Sequence, residues 1–473
     1  MTAKRFTIFL LVCLMTVASW TSFAQQSNAT IVYLPTIVKA FQSSPNNLLV
    51  EIASYLGNAN TDSLRGVAIG ADDAIVLVGS MSDYNPGNLT PIALLGGGAG
   101  VVLRLDSDGR MVRSITRIGA SINDIKINEA GTMLICANFG VAVLSADATQ
   151  LIWSQSLGNV SRCAIGNDGS VAALVGSIVY FYNPSGTLLR NIQATHTTET
   201  WRDIVIGGAE PLIIATGFVQ ISPTLQVPFL RAWHYDGSLA WVSYDYATVP
   251  AVLSADTRGE RLAIGDDGYL YLAGSINGGV AVSTFSRDPK DVNQELDAQQ
   301  LIVTDKYSNP TNLGSIKIAW YGRFNLADGR LLRAQSLLTR RISDDIGNSL
   351  VIEAIAADAS GNVFLAGSQS CCSSMRSEQQ IQGIPVGAYE NGEGFFAVMS
   401  ADLIRRYVWL PFAAPNSSAG ASGFTGLALR NGRVALSMTL DTQANSNRRL
   451  ITYQALQAEY AGGKEGYLVV WKP

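Results

Sequence analysis

Short apolar runs separated by tight turns fill the chain from Leu48 onward, and no helical period interrupts them. The clearest case is Ala354–Ser368, AIAADASGNVFLAGS: one apolar strand, a turn on Ala359-Ser360-Gly361, and a second apolar strand. Looser copies recur throughout. Arg65–Ile69 and Ile75–Ser80 flank a turn at Ala71-Asp72-Asp73, and Gly100–Leu105 and Met111–Ile118 flank Ser107-Asp108-Gly109. Further turns sit on Asn167-Asp168-Gly169, Pro184-Ser185-Gly186, Asp236-Gly237, Asp266-Asp267-Gly268 and Asn431-Gly432. Asx-Gly turns between apolar runs are strong hairpin signals, because both residue types accept positive φ cheaply.

Grouped in fours and labelled a to d in each group, the strands predict an all-β chain of repeated antiparallel units, the pattern of a β-propeller. The b strands Tyr269–Ala273 and Val363–Ala366 are apolar at every position, as strands covered on both faces must be. The last group, from Gly423 to Trp471, is one strand short, and Leu49–Leu56 (LVEIASYL) resembles a d strand. The expectation is therefore seven four-stranded antiparallel blades over 48–473, with the N-terminal strand completing the last. Misreading one insertion would make the ring six or eight.

The residues before the repeats read differently. Lys4 and Arg5, the apolar Phe6–Ala18 and Ser22-Phe23-Ala24 have the order of a cleaved signal peptide over 1–24. That apolar run falls short of the roughly 20 residues a spanning helix needs, so export without a transmembrane segment is expected. Residues 25–47 form an extended leader in which Pro35 disfavours a helix. Removing Lys4 and Arg5 takes the formal charge from -4 to -6. A mildly acidic chain without a basic block argues against nucleic acid as a partner. Cys136 and Cys163 lie in apolar strands and read as buried free thiols, while the adjacent Cys371 and Cys372, in a polar loop, could form a vicinal disulfide.

Asp358–Gly367 (DASGNVFLAG) resembles the bacterial SBBP-type propeller repeat Asp-x-x-Gly-Asn-Val-Tyr-Val-x-Gly, with Phe364 for Tyr and Leu365 for Val. Asp267–Gly274 and Asp72–Gly79 fit it more loosely, and strands with Trp153 and Trp241 are similar to quinoprotein-type blades. The resemblance implies a secreted propeller, a fold that serves many functions. Its quinoprotein branch implies a calcium-bound quinone, for which no ligand can be matched residue by residue.

Candidate chemistry lies in the loops. The a–b and c–d turns are short, whereas the b–c connections Met81–Ala99, Ile276–Ser315, Gln369–Glu393 and Thr439–Glu465 are long. In a propeller these emerge on one face, which makes that face the expected binding surface. Asp83, Tyr84 and Asn85, Tyr307 and Asn309, and Tyr389, Asn391 and Glu393 mix aromatic and polar groups suited to protein or carbohydrate. No catalytic or metal constellation stands out. His196 and His234 are the only histidines, no Gly-x-Ser-x-Gly or Cys-x-x-Cys is present, and Asp106-Ser107-Asp108-Gly109 falls where every unit has a c–d turn. The leading expectation is a non-catalytic binding or scaffold module. The competitor is a secreted propeller enzyme, quinoprotein-like or acting on polysaccharide.

Overall fold

In the computed structural model, residues 47–303, 316–340, 347–370, 379–386, 393–413, 423–440 and 449–472 are described. The innermost (a) strands are Ser63–Ile69, Ile122–Ile127, Arg162–Ile165, Glu199–Gly207, Asp256–Ile264, Leu350–Ala357 and Phe424–Arg430. Each packs against the next, and Phe424–Arg430 returns to Ser63–Ile69, so they enclose a central channel. Outward from each, the b, c and d strands follow as antiparallel neighbours. The middle of each sheet is where water is excluded. Met133–Ala137, Glu393–Met399 and Glu465–Trp471 are buried at every residue, whereas the outermost Leu188–Gln193 is exposed at all but Ile192. Sheets stacked face to face bury both sides, which is why these strands lack polar alternation.

The expectation of seven uniform four-stranded antiparallel blades needs correcting. Sheets of three or more strands number eight among the described residues: five of four strands, two of five and one of three. The differences come from the long b–c insertions. Ile92–Leu94 adds a fifth strand parallel to the outer strand Val112–Ile118, and Leu301–Val303 does the same on Leu331–Leu337. Gln380–Ile381 and Ile384–Pro385, from a third insertion, join Asn47–Leu48 in the three-stranded sheet. From the fourth, Tyr453 exchanges backbone hydrogen bonds of 2.9 Å with Ala53. The insertions therefore do not simply rise above one face: they fold back and cover strand edges, which removes unpaired backbone groups from those edges.

Val50–Leu56 lies antiparallel beside Glu465–Trp471, pairing Val50 with Trp471 and Leu56 with Gly466. This seam buries two carboxylates. Asp62 and Glu465 are both 0% exposed, and both approach Gly57, where a Cβ would lie 2.7 Å from Glu465 Cγ. The Ala461 N–H donates to Glu465 Oε2 at 2.9 Å, and the Asn58 N–H donates to Asp62 Oδ2 at 2.7 Å. Burial, assisted by the charge of Asp62, lifts the Glu465 carboxyl from 4.5 to about 7 against the pull of its two hydrogen bonds. Because the folded value lies above the unfolded one, this stabilisation is complete below pH 4.5 and is lost as pH rises through about 7. Urea midpoints of the wild type should fall across that window, and those of Glu465→Gln should fall less. Equal slopes would show that the carboxyl does not titrate there.

A second correction concerns the cysteines. Cys136, in the b strand Met133–Ala137, and Cys163, in the next unit's a strand Arg162–Ile165, are joined by a disulfide with Cα atoms 6.0 Å apart. Both are 0% exposed. They are not free thiols but a covalent tie between neighbouring blades.

Candidate functional site

Six inner strands share a local irregularity that shapes the channel. Pairing with the b strand slips by one residue at Arg65, Asn123, Arg202, Glu260, Glu353 and Thr425, each of which is left without a cross-strand partner. Such β-bulges re-aim side chains near functional rims. Five of the six bulged residues, all but Arg65, are followed within two positions by Ile or Leu, as in NDI, RDI, ERL, EAI and TGL, and Arg65 by Val.

Charge is unevenly placed along the channel. The residue after the bulge is Asp124, Asp203 or Arg261 on three of the bulged strands, and Arg162 lies on the strand between the first two; the remaining bulged strands offer Gly66, Ala354 and Gly426. Acid and base thus alternate around one side of the wall while small residues line the other. Arg162 Nη1 lies 3.6 Å from Asp124 Oδ2, Lys126 Nζ lies 3.1 Å from the same oxygen, and Arg261 pairs with Glu353. Asp203 accepts from the N–H groups of Ile204 and Leu262, each at 2.9 Å, and so ties its strand to the next.

These neighbours set the ionisation of the wall. Burial works against the charge of Asp124, but Lys126 and Arg162 outweigh it and hold the carboxyl below its usual range. Burial also opposes the charge of Arg162, yet Asp124, Asp203 and Glu353 together raise its pKa. Arg261 goes the other way: burial and the nearby Arg162 lower it.

Arg162 and Arg261 line both of two cavities, so they mark the transition between them. The cavity of about 770 Å³ opens toward the a–b turns, where Glu129, Asp168 and Asp266 face Lys126 and Arg430. The cavity of about 480 Å³ opens toward the b–c face. Among the described residues, its walls carry Arg65, Arg162, Arg202, Arg261 and Lys464 beside Asn123, Asn159, Ser161 and Thr425, with Trp201 as the only aromatic residue and no carboxylate. Arg202 Nε lies 3.5 Å from Glu260 Oε2, whereas Arg65 is exposed and forms no ion pair among the described residues.

The residues expected from sequence to bind ligand are not brought together at this mouth. Asp83 is exposed, with Asn60 Nδ2 donating to its Oδ2 at 3.3 Å. Tyr84 is buried in the apolar core of the first blade, and its carbonyl accepts from Arg117 Nη2 at 2.7 Å. Burial pushes its phenol well up. Glu393 is 2% exposed, and its Oε1 accepts from Gln369 Nε2 at 2.8 Å. Trp409 Nε1 in turn donates to Gln369 Oε1 at 3.0 Å. Tyr84 and Glu393 are thus built into the walls. Tyr307, Asn309, Tyr389, Asn391, Cys371 and Cys372 lie outside the described residues, as do the signal segment and the leader up to Asn46. His196 is exposed, and His234 is exposed at the end of its strand. Among the described residues, no three His, Cys, Asp or Glu side chains are grouped to hold a metal ion, and no helix is long and apolar enough to cross a membrane.

The bulged channel residues were not singled out from sequence, although a signal was present: a polar or charged residue recurs two positions before the inner Val, Ile or Leu of each of the six strands. Comparison with known proteins adds little beyond the fold. No protein-family model matches the chain. No curated protein sequence matches it. Among solved structures it is similar to the WD40 β-propeller domain of Doa1, at 12% identity and a TM-score of 0.43, over 81% of this chain and 92% of that one. The propeller architecture described above rests on this chain's own strand pairing.

Proposed function

We propose that the chain is an exported, non-catalytic binding module that takes a carboxylate-bearing ligand at the b–c mouth of its channel. One observation carries this reading: among the described residues, five cationic side chains and no carboxylate line that mouth, while acids gather at the other end. An excess of one sign in a low-dielectric cleft raises the local concentration of oppositely charged ligand, and Arg65, which forms no ion pair among the described residues, adds its charge to that of Arg162, Arg202 and Arg261, each paired with an acid. Asn123, Asn159, Ser161 and Thr425 supply the neutral hydrogen-bonding groups that would fix its orientation. The signal-like N-terminus and a buried disulfide suit an oxidising compartment outside the cytosol.

The test is calorimetric titration with tetraglutamate at low and moderate salt, on wild type and on Arg65→Glu/Arg202→Glu. Saturable binding that weakens with salt, and weakens at least roughly tenfold in the variant, is expected because both a contact and its field are reversed. Wild-type protein that takes up no peptide, or a variant that binds equally well, would end the proposal.

A further inference from the structure

The blades differ in what covers their outermost strands. In the first unit Ile92–Leu94 (IAL) lies parallel on Thr116–Ile118, and in the fifth Leu301–Val303 (LIV) lies parallel on Ala334–Ser336. Both covers are short, extended and uncharged, and both come from b–c insertions of the blade they cover. The second and third units have no such insertion. Their b and c strands are joined through Asn138-Phe139 and Gly176-Ser177. Their outer strands, Leu151–Ser156 and Leu188–Gln193, are the last members of their sheets.

Among the described residues no strand pairs with these two edges, and both expose apolar side chains. Ile152 is 55% exposed, Leu188 46% and Leu189 48%. The first edge, LIWSQS, carries no charge, and the second, LLRNIQ, carries only Arg190, whose Nε is engaged by the Tyr235 carbonyl at 3.0 Å. Neither contains Lys or Pro, the residues that ordinarily blunt an open edge against pairing. Trp153 does not fill the gap, because its Nε1 donates across to the Pro184 carbonyl at 2.9 Å and binds the two blades to each other.

We infer that the adjacent outer edges Leu151–Ser156 and Leu188–Gln193 are docking edges for an extended, uncharged apolar segment of a partner protein, added as a parallel fifth strand. The molecule itself shows the occupant's chemistry, since it places IAL and LIV on the corresponding edges of two other blades. Backbone pairing would supply the affinity, and alternate apolar side chains would set the register. This surface lies on the rim and is independent of the charged mouth.

The probe is an N-acetylated fluorescent peptide of the chain's own cover, Ala298–Val303 (AQQLIV), titrated into the intact protein and followed by anisotropy and cross-linking mass spectrometry. Expected are saturable binding, cross-links to Leu151–Ser156 or Leu188–Gln193, and at least roughly tenfold weaker binding by Ile152→Lys/Leu188→Lys/Leu189→Lys. All three side chains are exposed, and unchanged circular dichroism and urea midpoint would verify that the variant folds. No saturable binding, equal binding by the variant, or cross-links confined to Leu331–Leu337 would overturn the inference. So would a wild-type dimer in sedimentation that the variant abolishes, since the edge would then serve a second copy of the chain.

Discussion

Arg231→Met should cost the fold about 3–5 kcal/mol, the range seen when one member of a buried ion pair is removed. Arg231 lies on the c strand Leu225–His234 with its side chain 2% exposed, and its partner Glu199 is 0% exposed. Arg231 Nη1 donates to both Glu199 oxygens at 3.0 and 3.1 Å, while Nε and Nη2 donate to Asp245 at 2.7 and 2.8 Å. Its guanidinium also sits 4.6 Å from the centre of the Phe229 ring. Burial opposes this charge, but the bonds and charges of Asp245 and Glu199 raise the pKa of Arg231 above its ordinary value. Methionine fills comparable space yet leaves the buried Glu199 side chain without its cationic partner. Adding Glu199→Gln should recover part of the loss, because the amide carries no charge and its oxygen can still accept one of the two bonds, from Trp201 Nε1 now on Oε2 at 2.8 Å or from the His196 N–H now on Oε1 at 3.0 Å. Urea denaturation of the single and double variants decides it. A single variant that loses less than about 1 kcal/mol would place this network among exposed pairs of little worth.

The second large effect concerns Cys136 and Cys163. Their bridge spans a sequence separation of 27 residues, and the chain-entropy model assigns such a loop about 3–4 kcal/mol. Cys136→Ala/Cys163→Ala should lose stability of that order in oxidising buffer. Wild type should resist mild reductant while folded, since both sulfurs are shielded from solvent. If the double variant matches wild type in urea, or if folded wild type yields two titratable thiols, the bridge contributes nothing to the fold.

The repeating units were legible because their turns are written in local chemistry. Asp358 illustrates this: its Oδ1 accepts from the N–H groups of Ser360 and Asn362, each at 2.9 Å, and Gly361 adopts a φ of +79°. All of that is encoded within five consecutive residues. Val50–Leu56 could be matched to the last blade because it shares the composition of an outer strand. The edge covers Ile92–Leu94 and Leu301–Val303 were not legible, since three apolar residues inside a polar loop look the same whether they wander or pair. That is why the insertions were assigned to one face and the blades to one uniform design.

The disulfide was missed for a related reason. A b-strand residue and an a-strand residue one blade further on become neighbours only when blades stack, and nothing local to Cys136 or Cys163 announces it. Tyr84 and Glu393 were singled out because they sit among polar loop residues, yet Tyr84 turns inward and Glu393 begins a fully buried strand. The mouth went unnoticed because its cations are dispersed singly over the sequence from Arg65 to Lys464.

The pairing of Val50 with Trp471 also dictates an order of events during biosynthesis. The first outer strand to emerge is the last to be placed, because the edge it joins has not yet been made. Until then it is a loose clasp, and contacts of such long sequence separation form slowly. Nascent chains halted before Glu465 should therefore leave Val50–Leu56 open to proteases and chaperones, however well the intervening blades have already stacked.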